Sequence, residues 1–205
     1  MKGGPIMWPL LACAVVAGAV MIERFLVLRR FTGETEAPLR LLQAGRENDA
    51  LREAERQDGP ASALVAEAIR YRHLPHDAIE RKLEAKAQRE TPRLTHRLGA
   101  LDTIITIAPL LGLLGTVTGM IRAFHVVGDP SSLNGPSAIT GGVAEALIAT
   151  ATGLTIAIVT VIGYNALGER VKEVTAAMES AANVALDILG QREEAPPREA
   201  QAAHA

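Results

Sequence analysis

Aromatic residues, cysteine and net positive charge are all scarce in this sequence. Phe, Trp and Tyr make up 3% of its 205 residues, too few for the stacking platforms that bind single-stranded nucleic acid. The formal net charge is −2, which argues against the basic surface of a nucleic-acid-binding protein. The single cysteine, Cys13, can form neither an internal disulfide nor a cysteine-rich zinc site. Composition therefore suggests no nucleic-acid partner and no cofactor.

A metal site is not expected either. His73 and His76 are close in sequence, but Pro75 lies between them and we identify no third ligand nearby. A solvated loop is the simpler interpretation of this stretch.

Charge is missing from three long stretches. Residues 3–22, 103–121 and 146–168 contain no Asp, Glu, Lys or Arg. Since about 20 apolar residues in a helix cross the core of a bilayer, these stretches predict three transmembrane helices. A cleaved signal peptide is the alternative for the first stretch, but a signal peptide carries its positive charge before the apolar run. Here most of that charge follows it.

The sequence thus predicts an all-α integral membrane protein whose transmembrane helices extend into the cytoplasm. The predicted segments are a first transmembrane helix (1–28), a cytoplasmic helical loop (29–98), a second transmembrane helix (99–125), a periplasmic loop (126–138), a third transmembrane helix (139–167), a cytoplasmic helix (168–190) and a disordered tail (191–205). Within the cytoplasmic loop, the pattern over residues 39–57 predicts an amphipathic helix that is broken near Gly45.

The distribution of Lys and Arg predicts the topology. Residues 23–100 contain 15 of the 21 basic residues and residues 168–205 contain four, whereas the periplasmic loop contains none. Cytoplasmic segments next to membrane spans hold the positive excess. We therefore expect the N-terminus outside, the C-terminus inside and a multi-pass protein of the inner (cytoplasmic) membrane.

Glu145 is the one charged residue between Asp129 and Glu169, and it begins the third apolar stretch. A charged side chain near the bilayer centre costs roughly 3 kcal/mol on insertion scales. Such an acid persists if it faces a polar cavity, pairs with a cation or is protonated, and each option suggests ion or proton handling. Arg122 is a candidate ion-pair partner, although a side chain that reaches the membrane interface is the simpler interpretation of Arg122.

Small and hydroxyl-bearing residues accompany Glu145. On an ideal helical wheel Thr152 lies beside Glu145, and Thr116 of the second transmembrane helix offers a matching polar position. Thr and Gly are also ordinary helix-packing residues in membranes, and Gly115 and Gly119 form a small-xxx-small pair. The predicted helix-packing residues are Pro109, Gly112, Gly115, Gly119 and Gly153.

Three helices pack around a filled axis and enclose no channel, so a pore would need several copies of the chain. We therefore predict a ring-forming homo-oligomer. An intramembrane enzyme is disfavoured, because the transmembrane segments hold neither paired acids nor clustered histidines.

Two motifs in the second and third transmembrane segments resemble a known family. Residues 111–121 read LGLLGTVTGMI and residues 144–154 read AEALIATATGL. Together they resemble the ExbB/TolQ/MotA family of proton-channel subunits, and the ExbB/TolQ branch fits best. The resemblance covers roughly residues 75–190, although Thr118 stands where a tryptophan is common in the family.

The resemblance implies a homopentamer around two helices of a small single-span partner resembling ExbD or TolR, which carries an intramembrane aspartate. Proton flow would drive relative rotation of ring and partner and energise a third protein resembling TonB or TolA. The lumen-facing positions of the family match Thr116, Glu145 and Thr150. Periodicity favours Thr152 over Thr150, which lies roughly 140° from Glu145, so both remain candidates.

Two alternatives stay open. A MotA-like flagellar stator subunit usually has four transmembrane helices and a larger cytoplasmic domain than this sequence offers. A non-conducting membrane scaffold would use Glu145 only to hold helices together.

Overall fold

A computed structural model describes residues 4–31, 35–127 and 135–193 of the chain. The described residues form α-helices without strands. The helices are α1 (Met7–Arg30), α2 (Glu36–Gln43), α3 (Glu47–Arg56), α4 (Pro60–Arg70), α5 (His76–Thr95), α6 (Leu98–Val127) and α7 (Gly135–Glu193).

Three helical segments are long and apolar enough to cross a membrane, within Met7–Arg30, His76–His125 and Thr140–Gln191. The predicted all-α class with three membrane-capable helices is therefore confirmed. The direction of the termini and the ring remain predictions.

The chain divides into two compact units. Unit 1 comprises Met1–Phe25 and His96–Gly168, and unit 2 comprises Leu26–Thr95 and Glu169–Ala205. Unit 1 holds most of the apolar length of the three membrane-capable helices. Unit 2 holds α2 to α5 and the charged second part of α7.

In unit 1, α6 and α7 pack antiparallel along a seam of small residues. Ala108 faces Gly153 at one end of the seam, and Gly119 faces Ala146 towards the other. These glycines let the two backbones approach closely, because any side chain there would hold them apart. Ile6, just before α1, lies near Gly115 of α6, and Met21 of α1 lies against Gly163 of α7.

In unit 2, consecutive helices from α2 to α5 pack on one another. The predicted break near Gly45 is present, since Gly45 has φ +81°, a conformation that glycine adopts without a steric penalty. The buried apolar residues of this unit include Leu42, Leu64, Ile69, Leu83, Val174 and Met178. Pro92 lies inside α5 and does not end it.

The helix ends differ in detail from the predicted segments. α6 continues to Val127, and α7 begins at Gly135, so helix occupies both edges of the predicted periplasmic loop. The predicted third transmembrane helix and cytoplasmic helix are one continuous 59-residue helix. Residues 128–134 of the loop and 194–205 of the tail lie outside the described residues.

Candidate functional site

Glu145 of α7 forms an ion pair with Arg122 of α6. Nη2 of Arg122 lies 2.6 Å from Oε1 of Glu145, and the side chains are 48% and 28% exposed. The Arg122 Nε also donates a hydrogen bond to the carbonyl of Thr118, one turn earlier in α6. Its guanidinium is therefore held between its own helix and the carboxylate.

Gly4, just before α1, closes over this pair. Its φ of +68° is the left-handed conformation that favours glycine. A Cβ at Gly4 would overlap Oε1 of Glu145 and would lie 2.9 Å from Nη2 of Arg122. A side chain at this position would displace the Glu145 carboxylate from where it lies beside Arg122.

Oε1 of Glu145 is shielded from solvent, and it accepts no hydrogen bond of regular geometry from the described residues. The 2.6 Å contact with Arg122 is nevertheless close. Charge attraction, rather than an aligned hydrogen bond, therefore holds the two groups together.

Helix packing brings the two charges together. The end of α6 and the start of α7 meet where a Cβ at Gly142 would lie 3.2 Å from the carbonyl oxygen of Gly119 and 2.7 Å from Cβ of Ala123. Arg122 directly precedes Ala123, and Glu145 lies about one helical turn beyond Gly142. The close seam therefore sets both side chains at the same level.

Of the two interpretations of Arg122, the structure shows the ion pair rather than a side chain reaching only for the interface. A sequence signal was available. Arg122 is the one Asp, Glu, Lys or Arg residue between Asp102 and Asp129, and Arg122 and Glu145 flank the segment that connects α6 and α7. The part played by Gly4 left no comparable signal.

The three predicted threonines donate to backbone carbonyl groups and not to Glu145. Thr150 donates across the seam to the carbonyl of Gly112, with an O–O distance of 3.0 Å. Thr116 and Thr152 donate within their own helices, to Leu113 at 2.7 Å and to Ile148 at 2.8 Å. Within one chain, Thr150 thus lies in the α6–α7 contact. All three threonines are half-buried.

Thr116 also lines a shallow surface groove on α6. The other lining residues are Val117, Met120, Ile121, Phe124 and His125. The groove is mostly apolar, so Thr116 supplies one of its few polar atoms.

The predicted helix-packing glycines occupy the seam. Gly112, Gly115, Gly119 and Gly153 are buried, and a Cβ on Gly112 would lie 3.0 Å from the Cα of Thr150. Pro109 is half-buried within α6.

One cluster has metal-ligand chemistry. His76, Asp77 and Glu80, at the start of α5, hold ligand atoms within 4.8 Å of one another. Two acids thus stand beside His76, where the sequence analysis identified no third ligand. All three side chains are exposed, as acidic groups at the start of a helix usually are, and we assign the cluster no function.

Residues 56–180 match the MotA/TolQ/ExbB proton channel family. This match includes α6, more than three-quarters of α7 and the Arg122–Glu145 pair. The chain belongs to this family. It is accordingly a membrane protein, and the resemblance to ExbB and TolQ noted from the two motifs is confirmed.

Several relatives lie on the ExbB and TolQ side of the family. Biopolymer transport protein ExbB of Aquifex aeolicus is 40% identical over 111 residues, covering 54% of this chain and 73% of that protein. ExbB of Neisseria gonorrhoeae is 31% identical over 150 residues, covering 66% and 68%. The Tol-Pal system protein TolQ of Haemophilus influenzae is 29% identical over 180 residues, covering 80% and 78%.

Proposed function

We propose that this chain is the inner-membrane proton-channel and motor subunit of an ExbB/TolQ-type complex. With an ExbD/TolR-like partner, it couples the proton gradient to energised outer-membrane transport or envelope maintenance. The observation that carries the proposal is Glu145, a carboxylate in a membrane-capable helix and within the region that matches a proton-channel family. A charged acid at that position costs free energy, so its presence indicates a function.

The proposed assembly is a homopentamer with the N-terminus outside and the C-terminus inside. Support comes from the basic residues that flank the transmembrane segments on one side and from the need for several copies to enclose a lumen. Many apolar side chains of the three helices are exposed on the single chain, among them Leu110 (58%) and Ile158 (59%). Membrane lipid and neighbouring copies would cover them.

In this proposal protons pass between Glu145 and an intramembrane acid of the partner, which occupies the lumen of the ring. Thr116, Thr150 and Thr152 would line the path. Movement of the ring against the partner would energise a third protein resembling TonB or TolA.

A non-conducting scaffold is the second candidate, and one observation favours it. Arg122 and Glu145, like Thr150 and Gly112, already join α6 to α7 within one chain. Polar groups that serve only to pack two helices together would form the same contacts. A MotA-like stator is less favoured, because the relatives cited carry the names ExbB and TolQ.

Proton flux separates these candidates. The chain is purified with its co-expressed partner, reconstituted in liposomes with a pH-sensitive dye and tested under a potassium-diffusion potential. Glu145→Gln should abolish the partner-dependent flux while leaving assembly intact, because an amide cannot carry a proton as a carboxyl does.

Glu173→Gln is the matched control, since Glu173 is an exposed acid of α7 paired with Arg170 and should be dispensable for flux. Wild-type flux in the Glu145→Gln complex would remove Glu145 from the mechanism. A wild-type complex that retains its partner but never conducts would favour the scaffold.

A further inference from the structure

The Arg122–Glu145 pair is built from three separate parts of unit 1. α6 supplies the cation, α7 supplies the carboxylate, and the residue before α1 covers them. Arg122 is held on its other side by the carbonyl of Thr118. A contact made by three segments is specific to one arrangement of the helices.

We propose that Arg122 is the resting counter-ion of Glu145, and that Gly4 latches the pair closed. In this state the carboxylate is ionised, and its Oε1 is turned towards Arg122 and shielded from solvent. A proton can reach Oε1 only after the two side chains separate and Gly4 moves aside. Arg122 is therefore a positioning residue that determines when Glu145 becomes available to accept a proton.

Three observations support this assignment. Oε1 of Glu145, the oxygen nearest Arg122, is also the oxygen that solvent does not reach. The contact lacks regular hydrogen-bond geometry, so it can be broken without the loss of an aligned bond. Finally, Gly4 leaves no room for the carboxylate to turn towards the start of α1.

The proton balance is simple. Uptake converts the Glu145 carboxylate into a neutral carboxyl, and Arg122 keeps its positive charge throughout. The uncompensated Arg122 must then find water or another anion. It is 48% exposed, which leaves it a path to do so.

The inference deepens the proposed function, but its test does not depend on proton flux. Membranes containing the whole complex are treated with dicyclohexylcarbodiimide after an ionophore has collapsed the proton gradient. This apolar reagent adds to carboxyl groups that are accessible and able to take a proton. Mass spectrometry of the peptide that contains Glu145 gives the labelling rate.

Arg122→Gln should raise the labelling rate on the order of tenfold, because the carboxylate loses the nearby positive charge that favours its ionised form. Arg122→Lys keeps the positive charge and should restore slow labelling. Arg170→Gln is the matched control, because it breaks an exposed ion pair elsewhere on α7 and should leave the rate unchanged. Glu145→Gln gives the background.

Equal labelling in the wild type, Arg122→Gln and Arg122→Lys would overturn the inference. If Arg122→Gln does not accumulate in the membrane, Gly4→Ala serves instead, since its Cβ must displace the carboxylate and speed labelling. No change in Gly4→Ala would equally overturn it. A wild-type complex that conducts no protons defeats the proposed function, whereas the labelling result stands by itself.

Discussion

At the scale of single residues, the acids of this chain are stabilised in two different ways. Glu145 has one cation beside it, in the part of the chain that is apolar enough to cross a membrane. Glu90 of α5 is 6% exposed and has two cations, with Lys86 Nζ at 3.0 Å and Arg93 Nη1 at 3.1 Å. The single counter-ion fits the proton exchange that we propose for Glu145, and the double one fits a permanent structural contact at Glu90.

Glu90 gives unit 2 a pH-dependent stability. Burial raises the pKa of its carboxyl, but the hydrogen bonds and charges of Lys86 and Arg93 outweigh burial and hold the pKa below its ordinary value of 4.5. The stabilisation is therefore complete above pH 4.5 and is lost as the pH falls through the folded-state pKa.

Glu90→Gln should destabilise the protein by about 1–2 kcal/mol at neutral pH, because it removes the charge that Lys86 and Arg93 bind. The melting temperature in detergent, followed by circular dichroism at 222 nm, checks this. The difference from the wild type should shrink as the pH drops towards 3.

Glu84→Gln is the control for this substitution. Glu84 is exposed on the same helix and should change the stability by less than about 0.5 kcal/mol. A difference between Glu90→Gln and the wild type that persists at pH 3 would show that lost packing, not lost charge, is responsible.

At the scale of helices, the α6–α7 seam depends on residues without side chains. A Cβ at Gly153 would overlap the carbonyl oxygen of Ala108 and would lie 3.2 Å from the Cα of Gly112. Neither backbone atom can turn aside as a flexible side chain would. The helices must therefore move apart if Gly153 is enlarged.

Gly153→Ala should cost about 1–3 kcal/mol, the usual cost of overpacking, and should lower the melting temperature of the purified complex. Gly141 offers a matched control, because it lies in the same helix with no neighbouring atom within 4 Å of an added Cβ. Gly141→Ala should leave stability unchanged or raise it slightly, since Ala favours helix. If both variants behave alike, helix propensity rather than the seam governs the result.

At the scale of the whole molecule, the described residues of one chain enclose no lumen between the three membrane-capable helices. Glu145 faces Arg122 and Gly4, while Thr150 faces the backbone of α6. The proton path that we propose would therefore need surfaces supplied by other copies and by the proposed partner.

Native mass spectrometry of the complex, purified with its co-expressed neighbours, measures this directly. We expect about five copies of the chain with a small single-span protein retained. A monomer or dimer with nothing bound would leave Glu145 without a lumen and would favour the scaffold.

The amount that could be predicted from sequence differs between the fold and the site. The three apolar stretches, the break at Gly45 and the family motifs are local or periodic signals, and each was visible. For Arg122 the sequence favours an interfacial position over an ion pair, because hydropathy alone does not say which neighbour a long side chain reaches. Gly4 and Glu145 lie close together although they are 141 positions apart in the sequence, and no local pattern encodes this proximity.

The sequence by itself determined the helical class, the three membrane-capable segments and the position of the one acid within the third. Those properties follow from composition and period, which a chain carries in any conformation. Only the tertiary structure decided that Arg122 neutralises Glu145, that Gly4 covers the pair, and that Thr150 bonds to α6 while Thr152 bonds within α7. Such contacts depend on the rotation and separation of packed helices, which side-chain volumes along the whole seam fix together.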